Sequence, residues 1–583
     1  MTKKTSEVLN KIIEEIKNNK KIHYMIIIII SIILSSFLCR IQIRDSHDGS
    51  LHMLRLIGTY DTLKLGQLPP LVNQNYCNGL GYSMNLFYPP LVTYIPLLIK
   101  LFVPTYSVAL KLFGAMCIIF SGITMYNCVN QMTKNKMIAL FAAIFYLIAP
   151  YKLANVYKRF AIGEFAAMVF IPLVFLGLYN LFKQDGKKHY YIAIGAIGLM
   201  LSHTVTTLYT LLFCIVFILF NIKKLKNKEI IKKCIINIIF ILLISMLFWI
   251  PLLEATSKAD YAIMNDGIMR TNGRFASENT ISFTQLLKDK GEENGTTFLL
   301  GLPTIFAILL TIVAYKKINN EHKEIYLIFI IFSLISIFMA SRFFPWKIMP
   351  GLLCKLQYPW RMLGYMTFFL SFVCAINLYT TIKYFVKKEI LRSVLIVLFI
   401  IISIISSVHI MSQFFETDDK RDIEYENEIL ENRKISHLRI NRDYMPTKAI
   451  KLQRTYVILR EDRTYVLSGN GNISNEIKEN LTDEMVVQNL TKDTILEFPY
   501  FYYVGYRITL NTDENIINLK PIESENGYLS CVINEDIEKA EIKVEYVGTV
   551  ISKISYIISL VTLIIFIIYI VYQNKRGNKN DKN

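Results

Sequence analysis

The chain has 583 residues, of which 53% are hydrophobic and only 19% are charged. This balance excludes an ordinary soluble globular protein and indicates an integral membrane protein. The formal net charge of +18 does not indicate nucleic-acid binding, because the Lys and Arg residues form short clusters between apolar runs and no basic domain.

Apolar runs recur along the chain and are about long enough to cross a hydrocarbon core of about 30 Å. The first run lacks an A-x-A cleavage site, so it is expected to remain as the first span. The pattern predicts membrane spans near residues 24–40, 107–127, 137–150, 164–182, 189–203, 204–221, 233–250, 298–316, 324–341, 360–381, 391–411 and 549–571, about twelve crossings in all.

Lysine-rich loops predict the orientation, because such loops stay in the cytoplasm. With about twelve spans, every basic cluster is cytoplasmic, as are the termini, residues 1–23 and 572–583. These clusters are Lys3–Lys21, Lys134–Lys136, Lys183–Lys188, Lys223–Lys233, Lys316–Lys323, Lys383–Arg392 and Lys575–Lys582. The scheme requires that the apolar stretch Tyr88–Val103 does not cross. Its paired prolines and Lys100 favour a juxtamembrane helix, with a short span as the alternative.

Residues 412–548 are polar and differ from the rest. Short alternating stretches at Thr455–Leu459, Thr464–Leu467 and Glu541–Val547, with an Asn/Gly turn at 468–472, predict a β-rich domain, most simply a small sandwich. The expected fold is therefore a polytopic α-helical membrane protein at the cell membrane. Its multispan domain covers 24–411 with outer loops 41–106 and 251–297, and an extracytoplasmic β-rich domain precedes the last span, 549–571.

The first outer loop contains a candidate catalytic carboxylate. Asp48, His52 and Arg55 stand at i, i+4 and i+7, which places them on one face of a helix that starts at Gly49. Asp48 is then a general base or a ligand of a divalent ion, oriented by His52 or Arg55. Asp45 is the neighbouring candidate. The alternative is that Asp48 only caps the helix.

Further ionisable residues stand where predicted spans end on the outer side: Arg159, Glu164, His203, Glu254 and Arg361. Such residues near membrane depth are costly and usually functional. The arginines can bind a lipid phosphate through two hydrogen bonds, or can extend to ordinary headgroups. A structural role is an equal alternative for His203 and Glu254. Together these residues predict a site at the outer membrane surface.

Several strings occur in an order that resembles a known family. They are D-x-x-x-H-x-x-R at 48–55, G-x-L-P-P at 66–70, G-L-G-Y and F-Y-P-P-L within 79–91, R-F-A-I-G-E at 159–164, S-H-T at 202–204, W-I-P-L-L-E at 249–254 and Q-Y-P-W-R at 357–361. The chain thereby resembles bacterial membrane proteins called 6-pyruvoyl-tetrahydropterin-synthase-related or YfhO-like. These look like members of the GT-C class of membrane glycosyltransferases. The string F-P-Y-F-Y-Y-V-G-Y-R at 498–507 is similar to the outer β domain of the YfhO-like branch.

The resemblance implies a GT-C fold and transfer of a sugar from a polyprenyl-phosphate-linked donor to a cell-envelope polymer or glycolipid. The family's catalytic base maps onto Asp48, with Asp45 beside it. His52, Arg55, Arg159, Glu164, His203, Glu254 and Arg361 are the expected substrate-binding residues. The first loop has no D-x-D or E-x-D pair, so a divalent cation, Mg or Mn, stays open as cofactor. Displacing a lipid phosphate in one inverting step needs a base and cations, and these residues can supply both.

Two other functions remain as alternatives. A transporter or flippase of lipid-linked envelope precursors would need charged residues along a path within the spans, and the predicted spans are nearly free of charge. A non-catalytic membrane scaffold would explain residues 412–548 but would leave the outer-loop ionisable residues without a purpose.

Overall fold

A computed structural model describes residues 18–73, 75–265, 271–288, 297–414, 421–431, 442–451, 461–479 and 482–580. The helices of eight or more residues in these ranges are α1 (Lys20–Ser36), α2 (Gly49–Lys64), α3 (Leu91–Lys100), α4 (Tyr106–Thr133), α5 (Lys136–Ile148), α6 (Pro150–Tyr157), α7 (Ile162–Lys183), α8 (Tyr191–Met200), α9 (Thr204–Phe220), α10 (Lys228–Lys258), α11 (Leu302–Leu309), α12 (Asn320–Ala340), α13 (Leu363–Phe385), α14 (Glu389–Ser412), α15 (Arg421–Glu431) and α16 (Val550–Asn580). Shorter helices are Met84–Phe87, Gly273–Glu278, Thr311–Ala314, Gly351–Cys354 and Thr447–Lys451.

In the described part of the chain, eight helices are long and apolar enough to cross a membrane: α1, α4, α7, α10, α12, α13, α14 and α16. A ninth span is possible if α5 and α6 count as one bent helix, which turns by 46° between them. The break falls where Pro150 begins α6, because proline lacks the N–H that would continue the helix. The structure therefore confirms a polytopic helical protein.

Three of the predicted spans are shorter or broken. Residues 189–203 contain α8, with 10 residues, and residues 204–221 contain α9, with 17 residues. Residues 298–316 contain α11 and a separate four-residue helix. The count of about twelve crossings stays a prediction.

The segment predicted to lie along the membrane surface forms α3. This helix has 10 residues and contains Pro96, so its length of about 15 Å is half of a hydrocarbon core. The chain then turns at Leu101 and Phe102, whose side chains are 63% and 86% exposed, before α4 begins. The position of this segment along the membrane surface stays a prediction.

The basic clusters meet at one end of the helical bundle. Lys136 Nζ donates to the Asn18 carbonyl over 2.6 Å, and Lys183 pairs with Glu324 at 2.7 Å. Further contacts of this kind join Lys233 to Asp185 and Tyr190 to Asn574. The loops predicted to share one compartment thus lie together, and the identity of that compartment stays a prediction.

Between α15 and α16 the chain forms two antiparallel sheets. The strands are β1 (Tyr465–Ser468), β2 (Asn472–Glu479), β3 (Thr482–Leu490), β4 (Ile495–Phe501), β5 (Tyr506–Asn511), β6 (Ile516–Leu519), β7 (Ile522–Glu523), β8 (Tyr528–Val532) and β9 (Ile537–Tyr546). One sheet has the order β1-β4-β8-β7 and the other has the order β2-β3-β9-β5-β6. Tyr500 of β4 and Tyr506 of β5 pack together with ring centroids 5.4 Å apart, which brings the two sheets face to face.

The β-rich domain predicted before the last span is therefore confirmed. The predicted stretches Thr464–Leu467 and Glu541–Val547 correspond to β1 and β9, while Thr455–Leu459 lies outside the described residues. Among the described residues of the predicted domain, the first strand begins at Tyr465, and α15 and the short helix Thr447–Lys451 precede it.

The loop at residues 66–91 lies between the bundle and the sheets. The Phe501 N–H donates to the Leu80 carbonyl over 2.7 Å, and Lys478 Nζ donates to the Gly79 carbonyl over 2.7 Å. These bonds fix the loop to β2 and β4.

Aromatic rings complete this junction. Phe87 stacks on Tyr444 at 5.5 Å, and Tyr261, which follows α10, stacks on Tyr503 at 5.8 Å. Large aromatic pairs of this kind bury much apolar area and fix relative orientation. The β-rich domain is therefore packed firmly onto the 66–91 loop and onto the segment that follows α10.

Candidate functional site

Asp48 stands immediately before α2, but its side chain makes no capping hydrogen bond to the helix. Its backbone N–H instead donates to the Arg159 carbonyl over 3.0 Å. The turn is tight at Gly49, where a Cβ atom would lie 2.3 Å from Ser46 Oγ. The capping role proposed as the alternative for Asp48 is therefore absent, and the residue lies beside the segment that joins α6 to α7.

A buried ion pair forms the centre of this region. Arg159 donates to Glu164 Oε2 over 2.9 Å, and the two side chains are only 5% and 6% exposed. Glu164 Oε1 also accepts from the Tyr151 hydroxyl and, over 3.0 Å, from Asn155 Nδ2. Tyr151 and Asn155 stand one turn apart on α6, so that helix positions both donors. The carboxylate of Glu164 is thus fully satisfied inside the protein.

The QYPWR string brings a second arginine to the same carboxylate. Arg361 Nε lies 3.8 Å from Glu164 Oε2, and the Arg361 side chain is 16% exposed. The Leu356 carbonyl accepts from Arg361 over 2.9 Å and holds this guanidinium in place. The adjacent Trp360 ring covers the Arg159 guanidinium at 4.4 Å. Two cations and one carboxylate therefore share one buried network.

Two histidines meet at the edge of this network. The His52 ring lies edge-on to Tyr88 with centroids 5.2 Å apart. A Cβ atom at Gly163 would lie 2.4 Å from the Tyr88 hydroxyl oxygen and 3.0 Å from His203 Cδ2, so both side chains reach the first turn of α7. Thr206 N–H donates to His203 Nδ1 over 3.3 Å, which fixes this ring at the start of α9. Tyr88 therefore lies against His52 and approaches Gly163 from the same region as His203.

Burial determines the protonation of these groups. It raises the pKa of Asp48, against the opposing charges of Arg159 and Arg361. Burial also lowers the pKa of His52 to about 3, and burial together with the nearby Arg361 lowers that of His203 to about 3. Both imidazoles are therefore neutral at neutral pH, and the arginines carry the positive charge of the site.

Arg55 lies in the interior of the site. It is 1% exposed, and it donates to Asn85 Oδ1 over 2.8 Å and to the carbonyls of Tyr88 and Pro89 over 2.8 and 3.1 Å. Its guanidinium therefore holds the end of the 66–91 loop and places Tyr88 beside the histidines. In the structure Arg55 positions other residues of the site and is covered by them.

The structure does not bring Asp45 and Glu254 into this group. Asp45 lies 3.4 Å from Arg421, which begins α15. Glu254 accepts from Thr549 Oγ1 over 2.6 Å and pairs with Lys258 at 3.0 Å, which connects α10 to the start of α16. Among the described residues, no group of three or more His, Cys, Asp or Glu side chains is arranged around a possible metal ion.

Sequence reasoning missed four participants: Tyr88, Tyr151, Asn155 and Trp360. The sequence does contain a pattern that indicates Tyr151 and Asn155, because they stand at i and i+4 on a helix and Arg159 follows at i+8. Trp360 stands inside the QYPWR string itself. Tyr88 likewise stands inside the F-Y-P-P-L string.

The fold and this site define a polytopic membrane protein with ionisable groups at one end of its bundle and an appended β domain. Residues 86–414, more than half of the chain, match the family described as 6-pyruvoyl-tetrahydropterin synthase related domain, a membrane protein family. The chain belongs to this family, which confirms the resemblance inferred from the ordered strings.

A relative in Lactococcus lactis subsp. cremoris, an uncharacterised protein, is 31% identical over 361 residues. The matched region covers 58% of this chain and 57% of the relative, so the chain spans little more than half of that protein. Among solved structures, a cryo-EM structure of the arabinofuranosyltransferase AftD from Mycobacteria aligns with a TM-score of 0.45 and 14% identity, over 67% of this chain and 27% of that one. A second structure of AftD gives 0.43 and 13%, over 65% and 27%.

Proposed function

We propose that this protein is a GT-C-type glycosyltransferase that transfers a sugar from a polyprenyl-phosphate-linked donor to a cell-envelope polymer or glycolipid on the outer face of the membrane. The observation that carries the proposal is the convergence of Asp48, with its raised pKa, on the buried network of Arg159, Glu164 and Arg361. The family resemblance in the sequence names the donor class and agrees with this chemistry.

The location suits a donor whose lipid part remains in the bilayer. Glu164 lies in the first turn of α7, which ends at Lys183 among the basic loops. Arg361 lies two residues before α13, which ends at Phe385 near the same loops. The site is therefore at the opposite end of the bundle from the lysine clusters. If those clusters are cytoplasmic, the site faces outward, where a polyprenyl phosphate would present its sugar.

Asp48 is the proposed general base. In an inverting transfer the acceptor hydroxyl gives its proton to the base, the acceptor oxygen bonds to the anomeric carbon, and the phosphate leaves with the electrons of the broken C–O bond. A carboxylate with a raised pKa accepts a proton more readily than an ordinary one. The Asp48 side chain makes no capping bond that would compete with this role.

Arg361 is the proposed donor to the departing phosphate. In the described part of the chain its Nε atom makes no hydrogen bond, and its distance to Glu164 is too long for one. A guanidinium can donate to phosphate oxygens through parallel N–H groups. Arg159 is already bonded to Glu164, so it adds positive potential without needing to move.

His203 supplies a neutral donor toward the sugar. In the tautomer in which Nδ1 accepts from the Thr206 N–H, the proton of the neutral ring lies on Nε2. His52 is also neutral, and its ring is held against Tyr88. Neutral imidazoles suit sugar hydroxyls, and they add no positive charge to that of the arginines.

The proposal is tested with the purified protein in nanodiscs, supplied with a panel of radiolabelled polyprenyl-phosphate sugars and isolated envelope polymer. The measured quantity is the rate at which labelled sugar is transferred to the polymer. Asp48→Asn keeps the shape of the side chain and removes proton acceptance, so transfer should slow by about 10²–10⁴-fold. Arg361→Ala should abolish binding of the lipid donor.

Asp45→Asn is the matched comparison, because Asp45 is three positions away and lies beside Arg421. If Asp45 supplies the base, Asp45→Asn slows transfer and Asp48→Asn leaves the rate unchanged. A near wild-type rate in Asp48→Asn removes Asp48 as the base. Movement of the donor across the bilayer of sealed proteoliposomes, without transfer to any acceptor, would favour the flippase alternative.

A further inference from the structure

A second charged feature lies at the basic end of the bundle, away from the proposed catalytic site. A cavity of about 390 Å³ opens where α4 gives way to α5 and where α13 gives way to α14. Four cations line it: Lys134, Lys136, Lys383 and Arg392. None of the described residues in its lining is acidic. Within the described part of the chain, the cavity therefore concentrates positive charge without an acidic side chain in its lining.

Two of the cations are held in place by neutral carbonyl groups. Arg392 donates from Nε to the Val386 carbonyl over 2.7 Å and from a terminal nitrogen to the Lys383 carbonyl over 2.9 Å. Lys136 donates to the Asn18 carbonyl over 2.6 Å. These acceptors orient the side chains and leave the charge unneutralised, so the electrostatic attraction for an anion persists.

The backbone at the rim of the cavity is strained. Lys134 ends α4 with φ +52°, a left-handed conformation in which helices usually place glycine or asparagine. Such strain costs stability and is found preferentially at functional positions. Lysine at this position places a positive charge at the cavity, whereas the glycine that usually occupies this conformation carries no charge.

Apolar side chains line part of the cavity, among them Phe141 and Ile396. On α14 an exposed apolar stripe runs beside the face that carries Arg392 and Ile396. Its residues Leu391, Leu398 and Ile402 stand at i, i+7 and i+11 and are 47%, 45% and 53% exposed. A ligand with a charged head and long apolar chains fits this combination, whereas a small free anion uses only the charged half.

We propose that this cavity binds the phosphodiester headgroup of an anionic glycerophospholipid, with the acyl chains lying along α14. Lysine and arginine side chains bind phosphate oxygens through charge-assisted hydrogen bonds. Basic pockets between membrane helices recognise anionic headgroups on this principle. The site would fix a lipid between α5 and α14, and it is independent of the glycosyl transfer proposed above.

Native mass spectrometry of the purified full-length protein with added phosphatidylglycerol or phosphatidylcholine tests the proposal. The cavity variant combines Lys134→Gln, Lys136→Gln, Lys383→Gln and Arg392→Gln. The matched control combines Lys224→Gln, Lys226→Gln, Lys228→Gln and Lys232→Gln. It removes the same number of positive charges from exposed lysines that also lie at the basic end of the bundle.

Wild type and control should retain one phosphatidylglycerol with similar affinity, and the cavity variant should bind it at least about tenfold more weakly. Phosphatidylcholine should bind weakly to all three. The single variants Lys134→Gln and Lys383→Gln change exposed side chains. Each should show a partial loss of phosphatidylglycerol binding, even if the fourfold variant does not fold. Equal losses in variant and control, equal binding of phosphatidylcholine, or displacement of the lipid by millimolar inorganic phosphate would each overturn the proposal.

Discussion

Glu164→Gln isolates the charge at the centre of the buried network. Glu164 is 6% exposed and faces Arg159, which is 5% exposed, and Arg361 at 3.8 Å. Removing one partner of a buried ion pair leaves an uncompensated charge and costs on the order of 3–5 kcal/mol. Glutamine keeps the volume, so lost packing adds little. We expect the free energy of unfolding, measured by denaturant titration in detergent micelles at pH 7, to decrease by about that amount.

Glu254→Gln is the matched control for this experiment. Glu254 is buried to a similar degree, but its partner Lys258 is 50% exposed, so water screens their attraction. Such a pair contributes about 0–1 kcal/mol. Combining Arg159→Met with Glu164→Gln removes both charges of the buried pair and should recover part of the loss. A cost for Glu164→Gln no larger than that for Glu254→Gln, or strict additivity in the double variant, would refute the reasoning.

Three further outcomes are expected. Burial raises the pKa of Asp48, so folding favours its protonated form, and this residue's contribution to stability decreases as pH rises through that pKa. Asp48→Asn should therefore raise the Tm at pH 7, and a lower Tm would contradict this. Burial lowers the pKa of His52 and His203 from 6.5 to about 3, so the stability that they contribute is complete above pH 6.5 and is lost as pH falls. His52→Gln should flatten the decrease of Tm between pH 6.5 and 4, and an unchanged slope would show that His52 is not involved. A membrane-impermeant thiol reagent added to intact cells should label a cysteine placed at Asn470 and spare one at Lys387, and the reverse pattern would overturn the predicted orientation.

Apolar run length predicted the position of most long helices, because the requirement to span a hydrocarbon core acts on each segment separately. The predicted span 164–182 and the observed Ile162–Lys183 differ by two residues at one end and one at the other. The predicted span 137–150 gave no helix for the residues beyond Pro150. The chain instead continues as α6, because Tyr151 and Asn155 are buried against Glu164 by tertiary contacts that the local pattern does not show.

The site was predictable only in part. Asp48, Arg159, Glu164 and Arg361 stood out as ionisable residues near the ends of apolar runs, and the structure brings them together. Asp45 stood out in the same way and lies elsewhere, since Arg421 draws it toward α15. Sequence shows which residues are unusual in a membrane protein. It does not show which of them meet, because that depends on how helices far apart in the chain pack together.

The junction between the 66–91 loop and the β domain has a consequence for synthesis. Gly79 bonds to Lys478, which is 399 positions later in the chain. At a translation rate of about 5–20 residues per second, the loop leaves the ribosome roughly 20–80 s before its partner exists. During that interval the segment that carries Tyr88 lacks the surface against which it packs. We therefore expect the nascent protein to acquire its bundle first and to complete the environment of its two histidines only when the last strands have been made and docked.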